Sequence, residues 1–362
     1  MNHAVIMAGG TGKRLWPLSR KNRPKQLLHL IDGQTLLYHC FQRLLPVFDK
    51  ENIIVLTNAG YADLVRENLP ELPESNIIAE PTVRDTTGAI GLAASVLLKS
   101  DADATMAVLS ADHIIKPDET IQNALKDALT FVNKNTDSLM IFGIQPTFPD
   151  TRLGYINCMN PVESTGCTNK IYTVKEFKEK PDEKAAKEYI KAGRYFWNSG
   201  IFVWKAGTIL QNLKKFLPEA AEPLTKIQAD WGTESRQHTL QEWFPKLPKI
   251  SIDFAVMEKA ENVHAIKLDC RWLDLGSFNA LADIITSDEN NNVVTAKISR
   301  LLDCKNNFIV TEDKNHLIAA IGLEDMVVAH SPDATLVCPA DQTHRLKELL
   351  EIIEKKTPEK FL

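Results

Sequence analysis

No C-x-x-C pair occurs among the six cysteines, Cys40, Cys158, Cys167, Cys270, Cys304 and Cys338, which read as reduced thiols. No apolar run reaches the roughly 18 residues that a membrane span requires. Nothing resembling a secretory signal precedes the first strand. These absences predict a cytoplasmic protein with no membrane partner. With 44% hydrophobic and 25% charged residues in 362, the chain has too ordinary a composition for disorder and is long enough for one large and one smaller domain. A formal net charge of -5 argues against a general nucleic-acid binder.

One segment lacks carboxylates altogether. From Gly9 to Ile31 there are six cations, Lys13, Arg14, Arg20, Lys21, Arg23 and Lys25, and no acid. The segment follows the apolar run Ala4-Val5-Ile6 and contains Gly9, Gly10 and Gly12. Glycines after a buried strand let backbone N–H groups approach phosphate oxygens, and Lys and Arg neutralise charge that moves during reaction. The segment therefore predicts a polyanion site, with a nucleoside triphosphate as its ligand. Two better-known phosphate loops are excluded. A P-loop needs Ser or Thr after its Gly-Lys pair, where this chain has Arg14, and a dinucleotide fingerprint needs a third glycine at Leu15.

In the first half, Ala4–Ala8, Asn52–Thr57, Asn76–Ala79, Ala104–Ser110 and Ser138–Gly143 read as strands, separated by helical patterns at Thr35–Phe48, Tyr61–Asn68, Thr86–Lys99 and Glu119–Asn133. Such a βαβ series gives a mainly parallel sheet with ligands at the carboxyl ends of its strands. Ile171–Phe177, Gly200–Trp204 and Val263–Leu268 continue it as the acceptor half. Beyond Ser287, short β runs suggest a small solenoid or sandwich, followed by an amphipathic helix near Asp341–Glu354.

Several clusters fall at the predicted strand ends. Asp112, in Leu109-Ser-Ala-Asp-His113, suits magnesium, which takes a few carboxylates, waters and the substrate's own phosphates; it could equally cap a turn. Asp274, before a helix expected near Ser277, either caps that helix or meets a cation. His113 reads as a hydrogen-bonded structural residue, and His3, His29, His39, His264 and the other histidines lack metal-ligand spacing. Phe177-Lys-Glu179-Lys180-Pro181 offers an acid for sugar hydroxyls and a base for a phosphate, or is a charged surface hairpin. Asn198, in Trp197-Asn-Ser-Gly200, either bonds hydroxyls or marks a turn. Glu80-Pro81 with Arg84-Asp85-Thr86-Thr87 either reads a base edge or starts a helix.

Taken in order, Met7-Ala-Gly-Gly-Thr-Gly-Lys-Arg-Leu-Trp-Pro-Leu-Ser-Arg20, Pro24-Lys-Gln-Leu27, Glu80-Pro81, Leu109–His113, Phe177–Pro181, Asn198-Ser-Gly-Ile-Phe202 and Trp272-Leu-Asp-Leu-Gly-Ser277 resemble the sugar nucleotidyltransferase family, most closely its members that join GTP to mannose 1-phosphate. The resemblance implies a Rossmann-like, mainly parallel α/β catalytic domain at residues 1–286. A small left-handed β-helix-like domain at 287–362, ending in a helix, is implied by Gly322–Val328 and Asp333–Val337. It also implies that Gly9, Gly10, Gly12 and Arg14 hold the GTP phosphates with Lys13 alongside, and that Lys25 acts on the reacting phosphates. Asp112 and Asp274 would bind Mg²⁺, with Mn²⁺ or Co²⁺ as alternatives. Glu179, Asn198 and Gly154 would lie against mannose, Lys180 on its phosphate, and Glu80 and Asp85 on the base side. The product would be GDP-mannose.

Arg84-Asp-Thr-Thr-Gly88 departs from the family's Arg-Asn-Thr-Ala-Pro, and an ionised Asp85 cannot donate a hydrogen bond. Lys178 replaces an apolar residue, which suits an outward strand position. Longer relatives carry an isomerase domain after the tail; with the sequence ending at Leu362, isomerase activity is not expected. Two other readings are another hexose-1-phosphate nucleotidyltransferase and a silent nucleotide-sugar sensor. The tail's apolar strands either pair two copies in a homodimer or cover the catalytic domain.

Overall fold

Alternation of apolar side chains on the first strand fixes the layering. In β1 (Asn2–Ala8), Ala4, Ile6 and Ala8 pack on one face of the sheet with Leu37 and Phe41, while Val5 packs on the other with Ile90 and Ala93. Both faces are covered, so full burial of Val5 and Ile6 contributes about 1.5–3 kcal/mol each. The computed structural model describes residues 1–362 apart from Thr11, Glu359, Lys360 and Leu362. Thr11 of the glycine loop thus lies outside the described residues.

The first half follows the βαβ expectation. β2 (Ile53–Asn58), β3 (Ile77–Glu80) and β4 (Thr105–Ser110) join β1 in parallel, in the order β3-β2-β1-β4. Between them run α1 (Leu36–Leu44), α2 (Ala62–Asn68) and α3 (Asp85–Ser100). Thr35 caps α1, its hydroxyl accepting from Tyr38 N at 3.1 Å. A short β5 (His113–Lys116) and α4 (Asp118–Lys134) follow β4.

The second half joins the same sheet but turns it. β6 (Leu139–Ile144), β7 (Tyr155–Val162), β8 (Ile171–Lys178), β9 (Tyr195–Lys205) and β10 (Val263–Leu268) complete the order β3-β2-β1-β4-β9-β6-β10-β8-β7. β9 lies antiparallel between β4 and β6, and β7 and β8 are also antiparallel, with β6–β10 the parallel pair of this half. The mainly parallel expectation thus holds for the first half, and the sheet as a whole is mixed. β9 begins before the expected Gly200 because Asn198-Ser199-Gly200 is not a terminating turn. Asn198 Oδ1 accepts from Gly200 N at 2.8 Å, and the strand continues past this kink. α5 (Glu183–Ala192), α6 (Ala206–Phe216), α7 (Ala221–Asp230) and α8 (Arg236–Trp243) fill the outer layers.

β11 (Arg271–Asp274) pairs antiparallel with β5, placing Asp274 opposite His113. The expected helix near Ser277 is a 3₁₀ stretch, Asn279–Asp283, and Asp274 ends a strand instead of capping it.

The tail is a solenoid. β12 (Val293–Val294), β14 (Phe308–Thr311) and β16 (Met326–Ser331) stack in parallel on one side, and β13 (Ile298–Leu302) and β15 (Leu317–Ile321) on another. Buried Asn307 bridges the coils, donating Nδ2 to Asn292 Oδ1 at 2.9 Å and to Leu323 O at 2.8 Å. β17 (Ala334–Pro339) pairs antiparallel with β16, and α9 (Leu346–Lys356) follows a 3₁₀ turn. Leu15, Trp16, Leu18 and Leu28 of the basic segment share a core with Val310, Val327 and Leu336 of this tail. Acids reinforce the contact: Arg20 donates to Asp333 and to Ser331 Oγ at 2.8 Å, Arg23 pairs with Glu312 at 2.8 Å, and Lys21 lies 3.7 Å from Glu354.

Candidate active site

Of the six cations, three therefore clasp the tail, and the segment is not one continuous phosphate cradle. Lys13 and Arg14 remain exposed at a 3₁₀ turn beside the cleft, with the Arg14 guanidinium near Gly276. Gly12 has φ +64, and a Cβ there would meet Lys25 Cβ at 2.5 Å, so only glycine lets the loop fold over Lys25. Gln26 holds the loop to β1, its Nε2 donating to Ala8 O at 2.6 Å.

Lys25 is the junction of the site. Its ammonium contacts the Asp112 carboxylate, donates to Asp274 Oδ1 at 3.1 Å and donates to Leu275 O at 3.2 Å. Three acceptors use its three donors. Burial opposes the charge, yet Asp112 and then Asp274 hold the Lys25 pKa above its ordinary value. Burial would likewise raise Asp112, but Lys25, His113 and the Ser110 hydroxyl together hold it well below the usual carboxylate range. The β5–β11 ribbon explains how residues so far apart in sequence meet, with Leu275 N approaching Asp112 O at 3.4 Å.

Ligand atoms of Asp112, Asp274 and His113 lie within 4.8 Å of one another. Convergent carboxylates with an imidazole at their side fit a divalent cation. His113, read from sequence as structural, has its ring edge-on to Trp272, and its Nδ1 is buried without a partner. Burial lowers the His113 pKa below its ordinary value.

Two cavities meet this centre. One, of about 260 Å³, is lined by Gly9, Gly10, Glu80, Asp85 and Asp112. Glu80 Oε1 is buried there without a partner, and burial pushes its pKa up to about 8. Asp85, at φ +59, accepts from Thr86 N at 2.7 Å at the start of α3. The larger, about 950 Å³, is lined by Arg14, Trp197, Arg152, Lys180 and Asp274. The acid pair stands between the two cavities, Asp112 facing one and Asp274 the other.

Beyond Lys180 the chain assembles a polar wall. Lys180, at φ +46, donates to Glu179 Oε1 at 2.6 Å, while Glu179 Oε2 is buried without a partner. A Cβ on Gly154 would lie 2.4 Å from that oxygen and 3.2 Å from Asn198 Cβ. Asn198 donates Nδ2 to Asp253 Oδ1 at 2.9 Å. Asp253 starts a π-helical turn, Asp253–Met257, and burial followed by the Glu179 charge pushes its pKa up to about 7. Sequence reading missed Asp253: an acid inside Ser251-Ile-Asp-Phe-Ala carries no local signature of a site. The structure thus brings Gly154, Lys180, Glu179 and Asn198 together, and joins Asp112 and Asp274 through Lys25. Lys178 is exposed, as its strand position predicted.

Phosphate-type glycines, paired acids and a basic rim at the carboxyl edge of an α/β sheet define a nucleotidyltransferase, and the chain belongs to the nucleotidyl transferase family, whose model matches residues 3–291. Residues 300–353 match the MannoseP isomerase/GMP-like beta-helix domain. Within the family, the chain is similar to mannose-1-phosphate guanylyltransferase 2 of Escherichia coli O157:H7, with 37% identity covering 97% of this chain and 73% of that protein. It is 36% identical to mannose-1-phosphate guanylyltransferase RfbM of Salmonella typhimurium, covering 97% and 72%. A crystal structure from Thermus thermophilus, described as a mannose-1-phosphate geranyltransferase, superposes with TM-score 0.85 at 34% identity, covering 98% of this chain and 99% of that one. None of the described helices is long and apolar enough to cross a membrane.

Proposed function

We infer that the chain is a mannose-1-phosphate guanylyltransferase, converting GTP and mannose 1-phosphate to GDP-mannose and pyrophosphate. The observation that carries this reading is the Asp112–Lys25–Asp274 centre set between the cavity lined by Gly9, Gly10 and Glu80 and the larger one lined by Arg152 and Lys180. The guanylyltransferase relatives support the choice of substrates. An unpartnered Glu80 supports guanine, whose ring N–H and exocyclic amine donors would offset the burial that raises Glu80 and return it to the carboxylate form.

A phosphate oxygen of mannose 1-phosphate attacks the α-phosphorus of GTP in line. One P–O bond forms, the α–β bridging P–O bond breaks, and the pair of electrons leaves with pyrophosphate. Gly9, Gly10, Gly12, Lys13 and Arg14 hold the triphosphate, while Glu80 and Asp85 border the base. Glu179, Asn198 and Gly154 face the mannose ring and Lys180 its phosphate. Lys25 fixes both acids and adds positive charge beside the reacting phosphates. Asp112 and Asp274 would hold Mg²⁺, or Mn²⁺ or Co²⁺, which supplies charge neutralisation for two mutually repelling anions.

Pyrophosphate release, measured with GTP, ATP, dTTP and UTP against mannose, glucose and N-acetylglucosamine 1-phosphates, is expected to peak at GTP with mannose 1-phosphate. A maximum elsewhere replaces the substrates, and silence with tight GDP-mannose binding replaces the enzyme with a sensor. Six unpaired thiols support a cytoplasmic location. Ile298, Leu302, Leu317 and Ile321 are exposed on one face of the paired β13 and β15, on either side of Arg300 and Ala319, which supports a homodimer through the tail. Sedimentation is expected to give a dimer that Leu302→Glu with Ile321→Glu converts to monomer; an unchanged dimer would refute this face.

A further inference from the structure

The tail gathers three metal-binding side chains far from any linear motif. Asp313 follows β14, His316 immediately precedes β15 and His330 lies on β16. Their ligand atoms lie within 4.8 Å of one another, in a cluster separate from Asp112, His113 and Asp274. Solenoid stacking produces the meeting: β14 and β16 run parallel with Thr311 opposite His330, so the residues just after β14 come level with the end of β16. Sequence reading found no metal-ligand spacing among the histidines, because these two lie on successive coils with a turn between them.

The imidazoles of His316 and His330 stack with centroids 3.7 Å apart and planes 13° from parallel, so one ring must turn out of the stack before both lone pairs reach a single ion. His330 Nδ1 lies 3.1 Å from Thr335 Oγ1. With Nδ1–H donating to that hydroxyl, Nε2 is the free nitrogen, the outer-sphere support that orients ligating histidines elsewhere. Asp313 is fixed at both ends: its N–H donates to Thr311 Oγ1 at 3.1 Å, and its Oδ1 accepts from Asn315 N at 2.9 Å, leaving Oδ2 available.

We propose that Asp313, His316 and His330 form a binding site for a zinc-type divalent transition metal, with water completing its coordination. Two imidazoles and one carboxylate favour Zn²⁺, Co²⁺, Ni²⁺ or Cu²⁺ over Mg²⁺ or Ca²⁺, which prefer oxygen donors. Tetrahedral ligation at about 2 Å places donors roughly 3.3 Å apart, so rotation of at least one imidazole is part of metal binding here. The site has a mechanical setting: Glu312, next to Asp313, pairs with Arg23 at 2.8 Å and accepts from His29 N at 2.6 Å. A metal at Asp313 stiffens the turn that clasps the basic segment to the tail.

The test uses the untagged full chain, stripped with EDTA and titrated with Zn²⁺ against a chromophoric chelator, with Co²⁺ as a spectroscopic probe. His316→Ala with His330→Ala, and separately Asp313→Asn, are expected to weaken this Zn²⁺ site at least about tenfold and to abolish its Co²⁺ visible bands. Both are expected to keep magnesium-dependent pyrophosphate release. Asp112→Asn with Asp274→Asn is expected to keep the tail Zn²⁺ site while losing turnover. Unchanged Zn²⁺ affinity and stoichiometry in the folded Asp313→Asn chain and the double histidine variant would overturn the proposal, as would loss of all tight Zn²⁺ binding in the Asp112/Asp274 variant.

Discussion

Lys25→Met lowers the rate of pyrophosphate release at saturating substrates by about 10²- to 10³-fold, the usual loss on removing one preorganised charge contact. The side chain is buried, and its ammonium satisfies Asp112, Asp274 and the Leu275 carbonyl at once. Methionine fills much of the same space without the charge, so two carboxylates face each other with nothing between them. A second consequence separates an electrostatic role from simple unfolding. Without a competing ammonium the acid pair binds a divalent ion more tightly, so the magnesium concentration giving half-maximal residual activity falls. Added magnesium also raises the melting temperature of the variant more than that of the parent chain, because it binds only the folded form. Turnover within about threefold of the parent at every magnesium concentration would remove Lys25 from the reaction.

Legibility in the sequence followed distance along the chain. The strand Ala4–Ala8, the glycines behind it and the helices of the first half are local patterns, and they appear within a few residues of where periodicity placed them. Asp112 and Asp274 were visible singly as acids at strand ends. Their union was not, because it depends on the four-residue strands β5 and β11 pairing across the fold. The same limit turned six cations into one apparent phosphate site, when Asp333 and Glu312 of the distant tail claim Arg20 and Arg23. Asp253 carries no local signal at all: only the packing of its π turn against Asn198 and Glu179 distinguishes it from an ordinary helix-start acid. Asn198-Ser199-Gly200 misled in the opposite direction, since its turn chemistry is spent on a kink inside a buried strand.

Gly154→Ala separates the sugar side from the nucleotide side. One methyl group placed on this backbone lies 2.4 Å from Glu179 Oε2 and 3.2 Å from Asn198 Cβ, so Glu179 must move by about an ångström or the backbone must shift. Moving the Glu179 carboxylate strains the ion pair of its other oxygen with Lys180 at 2.6 Å, and Asn198 is bound through its backbone N–H to the Gly154 carbonyl at 2.8 Å. Misplacing a positioning group by such a distance costs on the order of 10²-fold in rate. The expected signature is a comparable fall in kcat/KM for mannose 1-phosphate, with GTP binding by the free enzyme unchanged. Glu179 would be disturbed only through its sugar contacts, so Glu179→Gln in the Gly154→Ala background adds less than Glu179→Gln alone. Equal and additive losses, or a defect in GTP binding, would place Gly154 outside the sugar site.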